Sequence, residues 1–186
     1  MRPLLALPFA LLALLPAACD NKPAETAGGE KPAETAAAAP GVPGPHYQTT
    51  DEGNAKFLAD YAALPGVQKT GDGLMYRVIK AGTGKTPLTT ADMVTVLYKG
   101  QLIDGQVFDQ TTPANPADPN SGPRTFPAGN LIPGWVQALA MMKEGDEWEL
   151  AIPYALAYGA EGRPPAIPAR QTLVFRMTLQ KVEFAQ

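Results

Sequence analysis

The sequence predicts an α+β domain in which an antiparallel sheet carries a helix packed on one face. Three observations lead there. Four stretches alternate apolar and polar residues with period two, they are joined by turn and loop sequences, and only one helix-like stretch stands between them. Parallel strands would need helical crossovers that the chain does not supply. With 186 residues, 45% of them hydrophobic, the chain has room for one domain of roughly 100 to 120 residues plus appendages.

The elements follow in order. Met1–Ala18 has one early positive charge, Arg2, and then an apolar run broken by Pro8 and Pro16, too short to span a bilayer comfortably. It stops at small residues before the single cysteine, Cys19, and reads as an export signal, residues 1–18. It resembles a bacterial lipoprotein signal, in which Cys19 would be lipidated after cleavage, although Pro16 stands where that pattern prefers an aliphatic residue. Residues 19–50 are rich in Ala, Pro, Glu, Thr, Gly and Lys, too poor in large apolar groups to offset chain entropy, and are expected to be a disordered tether. A helix is expected within 51–66, with Phe57, Leu58, Tyr61 and Leu64 on one face and Pro65-Gly66 ending it. The domain proper is placed at 67–186.

Within it, Leu74 to Ile79 alternates as a strand and ends at Ala81-Gly82-Thr83-Gly84. Met93 to Leu102 is a second strand, and Asp104-Gly105 is a favoured hairpin pair. Pro113, Pro116, Pro119 and Pro123 make 110–125 a long loop that no strand should enter. Pro133 to Met142 is a short helix with Pro133 at its first turn, Glu147 to Ile152 a third strand, and Leu173 to Val182 a fourth.

Charge and residue types exclude several chemistries. The net charge is −3 with no basic stretch, so nucleic acid is not an expected partner. The single His46 and Cys19 both lie before the domain, which removes zinc sites and Ser–His or Cys–His pairs. No metal and no cofactor is expected. Gly82-Thr83-Gly84-Lys85-Thr86 imitates the end of a phosphate loop, but Ile79 occupies the first glycine's position and Pro87 breaks the required helix start. Asp104, Asp109 and Asp118 lack the spacing and closing Glu of a calcium loop.

What remains is a set of rings: Tyr98, Phe108, Phe126, Trp135, Tyr158 and Phe175. Composition alone makes each a core residue. Their setting says more. Val94-x-Val96-x-Tyr98-Lys99-Gly100 through Asp104-Gly105-x-x-Phe108-Asp109, then Leu131-Ile132-Pro133-Gly134-Trp135, then Ala157-Tyr158-Gly159-x-x-Gly162 with Ile167-Pro168, then Thr172-Leu173-Val174-Phe175 closely resemble the FK-binding-protein (FKBP) type of peptidyl-prolyl cis-trans isomerase. The match runs from about Val67 to Val182. The helix ahead of it resembles the bacterial exported branch that includes the macrophage infectivity potentiators.

The resemblance implies an antiparallel sheet of about five strands wrapped around one short helix, and rotation about Xaa–Pro bonds in an aromatic pocket. It implies Tyr98, Phe108, Asp109, Trp135, Tyr158 and Phe175 as catalytic residues, with Trp135 as floor and Asp109 orienting Tyr98 or a nearby arginine. Phe126, Leu131, Ile132 and Ile167 would bind substrate, the Ile132 amide and the Tyr158 hydroxyl holding its carbonyls. Asp109 is expected to be largely buried. Arg163, Ala166 and Leu156 depart from residues common in relatives, at the rim. Proline-containing polypeptides are the expected substrates, and macrolide inhibitors of the family are expected ligands. The chain is expected to be a monomer, exported, periplasmic and held at a membrane by a lipid on Cys19. A non-catalytic chaperone or peptide-binding module using the same pocket is the alternative reading.

Overall fold

The structure, a computed structural model, describes residues 46–112 and 121–186. The export signal, Cys19, most of the tether and the stretch from Pro113 to Asn120 lie outside the described residues.

Helix α1 spans Asp51–Ala62. The Thr50 hydroxyl caps it by accepting from the Gly53 amide at 3.1 Å, and Asp51 and Glu52 complement its positive end. It lies within the 51–66 span, starting at its first residue and ending ahead of Pro65-Gly66. Asn54, Phe57 and Tyr61 form its buried stripe. Asn54 belongs there because its side chain accepts from the Thr172 amide at 2.8 Å and donates to the Thr50 carbonyl at 2.7 Å.

The strands are β1 (Gln68–Lys69), β2 (Met75–Lys80), β3 (Met93–Leu102), β4 (Val107–Gln110), β5 (Arg124–Pro127), β6 (Glu147–Ile152) and β7 (Leu173–Glu183), all paired antiparallel. The sheet runs β1-β2-β6-β7-β3-β4, with β5 also on β3. Strands β4 and β5 share one edge of β3: β4 pairs with Lys99 to Gln101 and β5 with Met93 to Val96. They are two halves of one strand, interrupted by residues 111–123. Counted so, and setting aside the two-residue β1, the sheet has the five strands expected. The loop expected over 110–125 is entered by strands at both ends: Gln110 closes β4, and Arg124 and Thr125 open β5. Pro123 lies just ahead of the paired residues and Pro127 ends the strand, so neither interrupts its middle.

Helix α2 (Pro133–Met141) packs on one face of the sheet, burying Trp135, Ala138 and Leu139 against Val94, Val96, Leu150, Ile152, Leu173 and Met177. The approach is close: a Cβ on Gly134 would stand 2.5 Å from Ile152 Cγ2. Strand residues of opposite parity, Met75, Ala151 and Val174, point the other way and pack on Phe57 and Tyr61 of α1. The domain therefore has three layers, helix, sheet and helix.

The buried Glu149 is held on the α1 side. It accepts from the Tyr61 hydroxyl at 3.1 Å and pairs with Arg77 at 3.0 Å across the β2–β6 register. Burial pushes its carboxyl up, and Arg77 partly offsets that. Asp92 is held differently. Its carboxylate accepts from the amides of Ala185, Leu88 and Thr89 and from the Thr89 hydroxyl, which lower its pKa to about 2, the Ala185 amide contributing most.

Candidate active site

A cavity of about 550 Å³ opens where α2 begins. Three rings from three elements form its base. Trp135 comes from the first turn of α2, Tyr98 from β3 and Phe175 from β7, and all are buried. Trp135 meets Tyr98 edge-on at 5.1 Å and Phe175 edge-on at 5.1 Å, and Phe108 on β4 meets Phe175 edge-on at 5.6 Å. This packing needs Gly100. A Cβ there would lie 2.6 Å from Phe175 Cε1 and 2.8 Å from Phe108 Cζ.

Strand alternation placed Tyr98 and Phe175, and the first turn of α2 placed Trp135. Tyr98 is one of the buried positions of β3 along with Val94 and Val96, and Phe175 pairs opposite Gly100, so it crosses the space the glycine leaves. The carbonyl of Ile132, the residue before α2, accepts from the amides of Trp135 at 2.9 Å and Val136 at 3.2 Å. Its own amide enters none of the main-chain hydrogen bonds among the described residues.

One polar pair sits among the rings. The Tyr98 hydroxyl donates to Asp109 Oδ2 at 2.7 Å. Burial pushes the Tyr98 phenol well above its ordinary value, and the Asp109 carboxylate adds to the rise. The carboxylate itself is exposed rather than buried, because β4 is an edge strand and leaves Asp109 open to solvent. It is Tyr98, not an arginine, that Asp109 holds.

The cavity brings together all six rings singled out in the sequence, Tyr98, Phe108, Phe126, Trp135, Tyr158 and Phe175, together with Asp109, Leu131 and Ile132. Ile167 is absent from its lining. It is buried in the main core, and its backbone pairs with Arg163 in both directions, at 2.8 and 3.0 Å. Ile167 thus fixes the loop that carries Arg163 rather than facing the hollow.

Three lining residues were not among the expected site residues: Arg124, Asn130 and Arg163. Asn130 directly precedes Leu131-Ile132 and could have been read from that adjacency. Arg163 stands over the Tyr158 ring, its guanidinium carbon 5.8 Å from the ring centre. Its place at the rim agrees with the resemblance, which set Arg163 there as a departure from relatives without giving it a role.

The arrangement is an apolar cup with a protonated phenol and a free main-chain amide at its edge. Its one hydroxyl–carboxylate pair, Tyr98 and Asp109, is a phenol kept protonated, and among the described lining residues there is no Ser, Thr, Cys, His or Lys. Among the described residues, no group of three or more His, Cys, Asp or Glu stands close enough to hold a metal ion.

Comparison with known proteins agrees with this geometry. Residues 84–180 match the family described as FKBP-type peptidyl-prolyl cis-trans isomerase. The chain is 41% identical over 136 residues to the FKBP-type 22 kDa peptidyl-prolyl cis-trans isomerase of Escherichia coli (strain K12), covering 73% of this chain and 63% of that one. It is 41% identical over 138 residues to the outer membrane protein MIP of Legionella longbeachae, covering 73% of this chain and 56% of that one. The matches thus span less than two thirds of either relative's length. Among solved structures, a peptidyl-prolyl cis-trans isomerase from Pseudomonas syringae pv. tomato superposes with a TM-score of 0.63 at 36% identity, covering 71% of this chain and 92% of that chain. FkpA from Escherichia coli superposes with a TM-score of 0.62 at 38% identity, over 70% and 57% of the two chains.

Proposed function

The chain belongs to the FKBP-type peptidyl-prolyl cis-trans isomerase family, and from that premise we propose that it accelerates rotation about Xaa–Pro bonds of proline-containing polypeptides in this cavity. The observation that carries the proposal is the edge-on trio of Tyr98, Trp135 and Phe175 beneath an opening whose one polar clamp, Tyr98 to Asp109, is already set.

The chemistry needs no more than this. An amide resists rotation by roughly 18–20 kcal/mol because its nitrogen donates electron density into the carbonyl, and uncatalysed exchange at proline takes tens to hundreds of seconds. At the perpendicular transition state that conjugation is lost and the carbonyl becomes less polar. Moving the imide from water into an aromatic cup therefore disfavours the planar ground state relative to the twisted one. Trp135 would lie under the proline ring, with Tyr98, Phe108, Phe126, Leu131 and Phe175 as walls. The Ile132 amide and the Tyr158 hydroxyl would hold the flanking carbonyls, and Asp109 keeps Tyr98 in place. No bond is made or broken.

The protein would act after export, as the apolar run at 1–18 and the outer-membrane name of one relative suggest. Its place would be the periplasm, as a monomer held to a membrane by a lipid on Cys19. Mass spectrometry of the mature N-terminus would show the acylated cysteine, and an unmodified, uncleaved chain would remove the anchor. Family macrolides would compete for the cup.

The decisive measurement is the cis-to-trans rate of a short Xaa–Pro peptide. The native protein should speed it, and Trp135→Ala should lower kcat/KM by about 10-fold or more by removing the floor. A rate no faster than buffer would remove the enzymatic reading. A macrolide that leaves the rate unchanged would remove the ligand reading alone.

A further inference from the structure

Two guanidinium groups face the hollow just described. Arg124 opens β5 and Arg163 sits in the loop between Tyr158 and Ile167; both line the cavity and both side chains are exposed. Every other cation with a carboxylate partner among the described residues has it elsewhere: Lys56, Arg77, Arg170, Arg176 and Lys181 form the ion pairs, and neither rim arginine does. Among the described residues one carboxylate lines the cavity, Asp109, and it already accepts from Tyr98. A chain of net charge −3 therefore presents a positive mouth to this one hollow.

Both arginines are placed rather than loose. Arg163 is fixed by its two main-chain bonds to Ile167 and by its seat over the Tyr158 ring. Arg124 is paired in register with Val96 of β3, two residues from Tyr98, and its charge is near enough to Tyr98 to oppose the rise in that phenol's pKa. The rotating bond joins the proline ring to the residue before it. With the ring on the floor, the side chain of that preceding residue would project toward the rim of the cup.

We propose that Arg124 and Arg163 make the site selective for Xaa–Pro segments in which Xaa carries a carboxylate. This rests on the isomerase reading of the cavity and deepens it. The positive rim gives an acidic segment a faster encounter and a partner on arrival, without acting on the rotating bond itself.

The test compares two peptides that differ only in Xaa, Glu against Gln, which match in shape and differ in charge. Exchange is followed by NMR, so that no helper protease imposes its own preference, and binding of the same peptides is followed by chemical-shift titration. The native protein should favour Glu over Gln by about 3-fold in kcat/KM and in affinity at low salt, the size expected of exposed ion pairs. The ratio should shrink toward one near roughly 0.5 M NaCl, where screening is short-ranged. Arg163→Gln and Arg124→Gln should each lower the ratio, and the double variant should bring it to one. A ratio at or below one in the native protein, or one that ignores both substitutions, overturns the proposal. If neither peptide exchanges faster than in buffer, the isomerase reading fails, and the titration still decides the charge preference on its own.

Discussion

Gly100 shows how much a missing side chain contributes. Its lack of a Cβ lets Phe108 and Phe175 meet edge-on above β3. A methyl group there would push both rings, and the rings can move more easily than the backbone. Gly100→Ala should therefore leave the fold largely intact while cutting kcat/KM by about 10-fold or more, since small misplacements of positioning groups are costly. Paired thermal unfolding and exchange measurements would check this; equal activity at equal stability would contradict it. The pH response belongs to the same scale. Burial and Asp109 keep the Tyr98 phenol protonated through the neutral range, and the single histidine, His46, lies outside the lining. The exchange rate should be flat between about pH 6 and 8, where an unperturbed histidine would titrate; a bell-shaped profile would contradict a mechanism without proton transfer. The six rings were legible as residues because the motifs around them are dense. Arg163 was legible only as a rim position, and Arg124 was not legible, because a polar group's neighbourhood in space is not encoded in its neighbours along the chain.

Strands β2, β3, β6 and β7 and both helices were readable from alternation, one-face helical spacing and Pro–Gly punctuation. The exceptions are the short strands β1, β4 and β5, of which β5 is the most concealed. Pro123 precedes its four residues and Pro127 is the last of them, and only pairing with Met93 to Val96 makes them a strand. Tertiary context decided there, as it commonly does for short strands. The segment before β3 is secured by a single side chain. Asp92 gathers the amides of Leu88, Thr89 and Ala185, so that it ties the entry to β3 to the residues after β7. The sign of its pH effect follows from its lowered pKa. The stabilisation is present above the ordinary carboxylate value of about 3.9 and is lost as pH falls toward about 2 in the folded state. Asp92→Asn should lower the Tm at pH 7 and flatten the fall in Tm between about pH 4 and 2. Parallel unfolding curves for the two proteins across that interval would contradict the assignment.

At the scale of the molecule, the sequence predicted one packed face and the structure has two. The stripe on α1 was visible, but nothing in it said that the helix would cover the side of the sheet opposite α2, where Met75, Ala151 and Val174 wait. Those three residues read as the weaker face of their strands. Glu149 is the polar counterpart of this second interface, 1% exposed and bonded to both Tyr61 and Arg77. Glu149→Ala should destabilise the domain by about 3 kcal/mol, as removal of one member of a buried pair does. Chemical denaturation would measure it, and a change under about 0.5 kcal/mol would place the interface's strength in Phe57 and Tyr61 alone. The split edge strand has its own outcome. Where the chain departs from that edge and rejoins it, the neck is stitched shut: Thr111 bonds to Tyr98, and the Gly122 amide donates to the Thr112 carbonyl at 2.9 Å. Both seams are zipped to the same neighbour, so the span between them is a natural splice point. Foreign peptide of quite different size, grafted between Thr112 and Ser121, would leave the register of both flanking strands as it is.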